Sequence, residues 1–393
     1  MTTKPILIAG AGAAGLSLAV HLLEAGCRRE LILVEPRERY RDDRTWCYWH
    51  FGGHPFDDCV SHRWSRWRLR AAGREAIGRS PGHPYCHIGG GAFYRAALDR
   101  ISDAPHVRLE LGARVLDHRP ASGGGVRVET TSGVVEARYL FDSRHRPAEG
   151  GLVQHFAGLF VRSGRDVFDP TTPTLMDFDA VRPTETGEPL PGVHFIYVLP
   201  FSRREALVES TLFTPRPLFT DLPAVEKSHF DAADAYLRQR YPDMPFEVVR
   251  RESGAIPMAR SRGGARRGHP VVPIGTAAGC ARPSSGYAFE AIQRTSGAFA
   301  RAVLRGDDPG TVTVWRRRAQ WLDRIFLSFL EHRPDLAPSV FVSLFDRLPG
   351  DFMPRFLSDR ESIGEVLRMM TAMPAGAFAR EWLRVSTAAA PQS

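Results

Sequence analysis

Lysine is nearly missing from this 393-residue chain: of its 52 basic residues only Lys4 and Lys227 are lysines, so the net charge of +8 is carried by arginine. The arginines are dispersed, their longest run being Arg316-Arg317-Arg318. No RNP, zinc-finger or helix-turn-helix pattern accompanies them, which argues for coding bias over nucleic-acid recognition. Cysteine is also scarce. Cys27, Cys47, Cys59, Cys86 and Cys280 are an odd set without a C-x-x-C pair. That excludes a disulfide framework and a structural zinc site, and it fits a reducing cytoplasm. His83 and His87 have i,i+4 spacing, but Pro84 lies between them and no acidic third ligand is near, so they read as loop histidines and no metal is expected. No uncharged apolar run reaches the roughly 18 residues of a membrane span. A composition of 43% apolar and 24% charged residues excludes disorder and collagen. At roughly 100–200 residues per domain the length predicts two or three units sharing a sizeable core.

What is present begins at residue 4. Lys4 before an apolar, small-residue stretch has the look of a signal peptide, but the glycine spacing gives it another meaning. Pro5 to Ala9 reads as a buried strand, Gly10-Ala11-Gly12-Ala13-Ala14-Gly15 supplies G-x-G-x-x-G, and Leu16 to Ala25 continues as a helix that Gly26 ends. Glu30 to Glu35 is a second strand that closes on an acid twenty residues after Gly15, the position of a ribose acceptor. In such a unit Gly10 permits the tight turn, Gly12 lets the backbone approach a pyrophosphate and Gly15 allows close helix–strand packing. The helix amino terminus offers free N–H groups and the positive end of a dipole.

Further on, Arg114 to Leu116 and Val126 to Thr130 predict a hairpin across Gly123-Gly124-Gly125, followed by one strand from Val134 to Phe141. Val193 to Leu199 and Glu205 to Phe213 flank a turn at Pro200 to Arg204 in a second sheet. Pro270 to Gly275 is strand-like, and Gly279, Pro283, Ser284-Ser285 and Gly286 lead into a helix from about Tyr287 to Leu304. A helix aimed this way can set its positive end beside an anionic reduced flavin. From Thr311 to Arg384 the pattern is helical.

Several dispersed stretches together resemble the bacterial lycopene β-cyclases over nearly the full length. They are the amino-terminal fingerprint, Asp43-Arg44-Thr45-Trp46-Cys47, Phe141-Asp142-Ser143-Arg144, Gln154-His155-Phe156, Asp169-Pro170 and Leu175-Met176-Asp177-Phe178. Tyr197 to Pro200, Ala206 to Thr211, Gly254 to Met258, Pro283 to Tyr287 and Arg355 to Ser358 complete the set. The resemblance implies an α/β, Rossmann-like FAD-binding fold of the glutathione-reductase and p-hydroxybenzoate-hydroxylase kind, with an inserted antiparallel sheet and carboxy-terminal helices. The expected division is an FAD-binding domain from 1–50, 90–150 and 255–310, a substrate-binding domain from 51–89 and 151–254, and a helical segment from 311–393. Expected cofactor contacts are Gly10, Gly12, Ala14, Gly15, Glu35, Gly275, Gly279 and Gly286. Thr276 departs from the aspartate that many hydroxylases of this fold carry after the glycine, and Ser285 from the family's threonine.

The resemblance also implies a redox-neutral isomerase that requires reduced FAD, with NAD(P)H as reductant. An acyclic ψ-end of lycopene is protonated at C2, the C5–C6 double bond attacks the C1 cation, and loss of a C6 proton leaves a β-ring. Glu209 matches the family's essential glutamate. In an extended strand it shares a face with Leu207, Thr211 and Phe213, and desolvation among such neighbours keeps a carboxyl protonated, as a general acid must be. The alternative is a sheet-edge carboxylate that is solvated or paired with Arg203 or Arg204. An anionic group about 4 Å from the cation, at an effective dielectric near 20, is worth on the order of 4 kcal/mol. Aromatic faces add to that, and Trp46, Trp49, Tyr197, Phe201 and Tyr287 are candidates.

Two other classes share the first motif, a flavin monooxygenase or halogenase and a non-enzymatic isoprenoid-binding protein. Halogenation is disfavoured because no W-x-W-x-I-P occurs and neither lysine is suitably placed. A carotenoid substrate implies a cytoplasmic enzyme that works at the inner face of the cell membrane. Trp315, Ala319, Leu322, Ile325, Phe326, Phe329 and Leu330 form an apolar helical stripe beside Arg316, Arg317, Arg318 and Arg324. That stripe either docks on lipid or packs against the protein.

Overall fold

The computed structural model describes residues 4–145, 150–179, 192–215, 222–259 and 266–388. Its first sheet has five parallel strands in the order β18 (Val271–Pro273), β12 (Tyr139–Asp142), β1 (Ile6–Ala9), β2 (Leu31–Glu35) and β8 (Val107–Leu111). β1 and β2 are buried along their whole length, as parallel strands covered on both faces must be. Alternation sends Ile6 and Ile8 towards α1 (Ala13–Glu24), α2 (Gly90–Ser102) and α4 (Phe289–Arg305). Leu7 and Ala9 face the meander of β9 (Val115–Pro120), β10 (Val126–Thr130) and β11 (Gly133–Ala137) on the other side.

The strand expected from Val134 to Phe141 is two strands. β11 pairs antiparallel with β10, while β12 pairs parallel with β1. The chain changes sheets at Arg138, whose N–H donates to Pro5 (2.7 Å). Both halves are apolar enough for a strand, so the break leaves no mark in local composition. α1 starts three residues earlier than the apolar pattern predicts, because Ala13, Ala14 and Gly15 carry no periodic signal.

A seven-stranded sheet lies beside the first, in the order β17 (Phe246–Met258), β13 (Leu152–Ser163), β16 (Glu205–Pro215), β15 (Val193–Pro200), β14 (Thr174–Asp177), β5 (Arg66–Ala71) and β6 (Arg74–Arg79). Its back face packs Val161, Ile196, Val198 and Val208 against Ala233, Tyr236 and Leu237 of α3 (Leu222–Arg240). A small sheet of β3 (Thr45–Trp49), β7 (Tyr85–Gly89) and β4 (His62–Trp64) lies against the helix side of the parallel sheet through Tyr48, Cys86 and Ile88.

The front face meets α5 (Arg317–His332), α6 (Ala337–Arg347), α7 (Phe352–Leu357), α8 (Ile363–Ala372) and α9 (Ala375–Ala388). The apolar stripe of α5 turns inward. Phe329 stacks on Phe378 of α9 (4.5 Å), Phe326 meets Phe341 of α6 edge-on (5.5 Å), and Ala319, Ile325 and Leu330 are buried. The stripe therefore packs against the protein and does not present a lipid-docking face: Phe326 and Phe329 meet α6 and α9, while Leu322 and Ile325 face the interior cavity. A buried ion pair fixes α5 to the turn before α4. Arg282 Nε lies 3.1 Å from Asp323 Oδ1, to which Ser284 Oγ also donates (2.7 Å), and the guanidinium donates to the Phe356 carbonyl. Removing one partner of such a pair leaves an uncompensated buried charge.

Candidate active site

Between the front face and the parallel sheet runs a cavity of about 850 Å³. One end is lined by Gly12, Ala13, Ala14, Gly275 and Gly286; the other reaches Met370 and Trp382 on α8 and α9. The two glycine motifs, 260 residues apart in the chain, meet here. A Cβ on Gly275, which has φ +59°, would come 2.6 Å from Ala14 Cβ.

The fingerprint itself is tightly closed. Gly10 holds φ +85°, and a Cβ on Gly15 would fall 1.9 Å from the Gly10 carbonyl oxygen. The buried Glu35 carboxylate accepts from the N–H of Ala11 (2.6 Å) and of Arg37 (3.0 Å), so the acid ending β2 faces the glycine turn. Gly279, at φ +81°, ends the short helical turn Gly275–Ala278, and its carbonyl accepts from Trp315 Nε1 (2.7 Å). Of the eight expected contact residues, Gly12, Ala14, Gly275 and Gly286 lie on the cavity wall. Gly10, Gly15, Glu35 and Gly279 shape the turns behind it.

The middle of the cavity is set by strand register. Tyr197 of β15 is opposite Glu209 of β16, Glu209 is opposite Gly158 of β13, and Gly158 is opposite Glu252 of β17. One row therefore runs Tyr197, Glu209, Gly158, Glu252 across four strands. In the next row Phe195, Thr211, Phe156 and Gly254 stand side by side. Glu209 shares its face with Leu207, Thr211 and Phe213, and all four line the cavity. Its carboxyl accepts a hydrogen bond from Thr211 Oγ1 (2.9 Å). Burial, reinforced by the charge of Glu252, pushes the Glu209 carboxyl up to about 8. Arg204, the alternative partner weighed above, pairs with Asp166 instead (2.7 Å).

A phenol cluster closes the wall beside Glu209. Tyr85 OH lies 2.9 Å from Tyr197 OH and 3.1 Å from Tyr287 OH. Burial holds all three phenols above their ordinary range, so they stay neutral. Of the aromatic candidates, Trp46, Tyr197 and Tyr287 face the cavity. Trp49 is a core residue against Trp67 (4.4 Å), and Phe201 packs on His87 (4.8 Å) behind the wall.

Sequence reading missed Tyr85, Gly158 and Glu252. The first two carry no local signal. Glu252 did, because it stands two and four residues before Gly254 and Ile256 and so shares their face of an extended strand.

Histidine reading needs one correction. His83 is a loop residue stacked on Phe51 (4.0 Å), but His87 is a buried member of β7, with Ser61 Oγ at 2.6 Å. Strand pairing with β3 and β4 overrode the neighbouring proline. His50, His54 and Asp57 gather within 4.8 Å elsewhere. They satisfy one another, with His50 Nε2 2.9 Å from Asp57 Oδ1, and Tyr48 OH 2.7 Å from His54 Nε2.

The sequence model of the family described as lycopene cyclase protein matches residues 5–382. The chain belongs to the lycopene cyclase family. A lycopene beta-cyclase of Paracoccus sp. (strain N81106 / MBIC 01143) is 26% identical over 396 residues, covering 95% of this chain and 94% of that one. Among solved structures, a geranylgeranyl bacteriochlorophyll reductase-like protein of Thermoplasma acidophilum aligns over 98% of this chain and all of its own, with a TM-score of 0.59 and 13% identity. The flavin-dependent monooxygenase PieE in complex with FAD and substrate aligns over 98% of this chain and 72% of its own, with a TM-score of 0.57 and 14% identity. These likenesses establish the fold for this cyclase-family chain: the Rossmann-like α/β fold of FAD-dependent oxidoreductases, with an added antiparallel sheet and carboxy-terminal helices.

Proposed function

We propose that this chain is a lycopene β-cyclase, closing the ψ-ends of lycopene to β-rings through γ-carotene to β-carotene without net redox change. The observation that carries the reading is a buried carboxyl, Glu209, on the wall of a largely apolar cavity that continues to the fingerprint glycines, where burial favours its protonated form. A carboxylic acid is a weak donor to an alkene, so the cavity must also favour the cation; the neutral faces of Tyr197, Tyr287 and Trp46 suit that task.

The residues present suit FAD. A Cβ cannot be placed on Gly15, and the first-turn N–H groups of α1 lack intrahelical acceptors. On the cavity wall, Gln154 Oε1 and Ser285 Oγ are buried without a hydrogen-bond partner among the described residues. Gly10, Gly12, Ala14, Gly15 and Glu35 would hold the dinucleotide portion, with Gly275, Gly279 and Gly286 around the ring system. When bound and reduced, by NAD(P)H, the flavin supplies negative charge against the developing cation. Glu209 delivers a proton to C2, and the surrounding apolar wall excludes water that would capture the cation.

Expression in a lycopene-accumulating host tests the reading. A new β-ring carotenoid, absent with Glu209→Gln, is expected on pigment chromatography. Unchanged lycopene beside soluble, flavin-loaded protein would overturn it, and turnover that needs oxygen stoichiometrically would point to a monooxygenase. Carotenoid binding without turnover would point to a carrier.

The substrate is insoluble in water, and no helix among the described residues is long and apolar enough to cross a membrane. One group of exposed apolar side chains lies at the cavity mouth. Ile363, Leu367 and Met370 follow one another on α8 at i, i+4 and i+7, and Trp382 and Leu383 lie on α9, all more than 40% exposed. Met370 and Trp382 also line the cavity, and Arg368 and Arg380 are exposed on the same helices. This face is proposed to rest on an anionic bilayer and to admit the carotenoid. Ile363→Glu with Leu367→Glu is expected to weaken binding to anionic vesicles by about tenfold or more, with turnover of detergent-dispersed lycopene kept. Unchanged vesicle flotation removes this face from the proposal.

A further inference from the structure

Glu209 has a counterpart on the far side of one glycine. Glu209 and Glu252 are both register partners of Gly158, one on β16 and one on β17, and both line the cavity. Strand spacing puts their Cα atoms roughly 10 Å apart, with a glycine as the strand residue between them. A Cβ on Gly158 would fall 2.6 Å from Leu207 Cδ1 and 3.2 Å from Glu209 Cβ, so only a glycine leaves room at this position for the Leu207 and Glu209 side chains of the neighbouring strand.

We propose that Glu252 is the proton acceptor of the cyclisation, removing the C6 proton of the forming ring while Glu209 supplies the C2 proton. This rests on the carotenoid cyclase reading above.

The surroundings of the two carboxyls differ in the direction these roles need. Glu252 Oε2 accepts from Thr45 Oγ1 on β3 (2.8 Å) and has Arg250 NH2 at 3.6 Å. Burial holds the Glu252 carboxyl above its ordinary range, although the Thr45 hydroxyl and the charges of Arg250 and Arg44 act to lower it, while Asp42 acts with burial. Glu209, on β16, has the Thr211 hydroxyl and, among the described residues, no cation paired with it. Two carboxyls whose settings separate them in this way divide into an acid and a base.

The steps balance. The Glu209 O–H bond breaks and its proton bonds to C2 with the C1–C2 π pair, leaving C1 cationic. The C5–C6 π pair then forms the C1–C6 bond and moves the charge to C5. Finally the C6–H pair becomes the new C5–C6 double bond, and the proton goes to a Glu252 oxygen. Nothing is oxidised or reduced. Glu209 ends ionised and Glu252 protonated, and return of that proton to Glu209 restores both carboxyls before the next turnover.

A C5 cation can lose a proton from C6, from C4 or from the methyl on C5, and the position of the base decides which ring results. That gives a readout a structural role does not move. In flavin-loaded protein with lycopene in detergent, Glu252→Gln is expected to lower kcat by about a hundredfold or more. Its residual product should carry rings whose double bond lies outside C5–C6, while Glu252→Asp keeps β-rings. Thr45→Val, which removes the donor to Glu252, is expected to move the acid limb of the kcat profile to higher pH, and it decides the matter if Glu252→Gln cannot be recovered folded. β-Rings from Glu252→Gln at the parent's rate, β-rings as its sole product, or an unmoved acid limb in Thr45→Val would each overturn the proposal. If the parent itself forms no ring, the cyclase reading falls and takes this one with it; if the parent does and only these variants disagree, the assignment of Glu252 alone fails.

Discussion

Glu209→Gln is expected to yield a folded, flavin-loaded protein that forms β-rings about a thousandfold more slowly than its parent. The amide preserves shape and the contact to Thr211 but cannot deliver a proton to C2. The parent's rate should fall as pH rises above about 8, where the Glu209 carboxyl ionises. Stability follows the same group with a defined sign. The folded chain holds this proton to about 8, whereas an unfolded glutamic acid releases it near 4.5. The folded state therefore binds more protons between those values, and stability declines as pH rises through that window, by on the order of 4 kcal/mol. The amide of Glu209→Gln has no such proton to lose, so thermal melts of variant and parent should agree near pH 5, and the variant should melt several degrees higher near pH 8. Parallel melts at both pH values would mean that the carboxyl is not buried in its neutral form.

Gly15→Ala is expected to abolish flavin retention. The added methyl would lie 1.9 Å from the Gly10 carbonyl oxygen and 3.1 Å from Ile8 Cγ2. The obstacle is backbone, so no rotamer change relieves it, and α1 must lift away from β1 with the N–H groups that would face the pyrophosphate of a bound dinucleotide. Gly82→Ala is the matching control, since nothing lies within 4 Å of its added methyl and its φ is not positive. Visible flavin absorbance per protein after purification measures the result: Gly15→Ala colourless, Gly82→Ala as yellow as the parent. A Gly15→Ala protein with a full complement of flavin would show that the fingerprint does not hold the cofactor.

Gly15 was legible in the sequence because its spacing is contained within one βαβ unit. Alternation within a single strand showed the apolar face that Glu209 shares, but it was the family resemblance that singled out Glu209 from a sheet-edge carboxylate. The inward turn of α5 was not legible: periodicity reveals an apolar face, while what covers it depends on α6 and α9 arriving from later in the chain. The exposed face on α8 and α9 was missed for the converse reason, since a stripe left uncovered looks in sequence like one that is buried.

Sequence alone determined the glycine turn of the first βαβ unit and the placement of Glu209 among apolar neighbours, both properties of segments shorter than about 30 residues. Tertiary structure decided the rest. Strand pairing brought Gly158, Glu209 and Glu252 into one row, although each lies more than 40 residues from the next. Register between distant strands is set by the packing of whole sheets, and no local pattern encodes it.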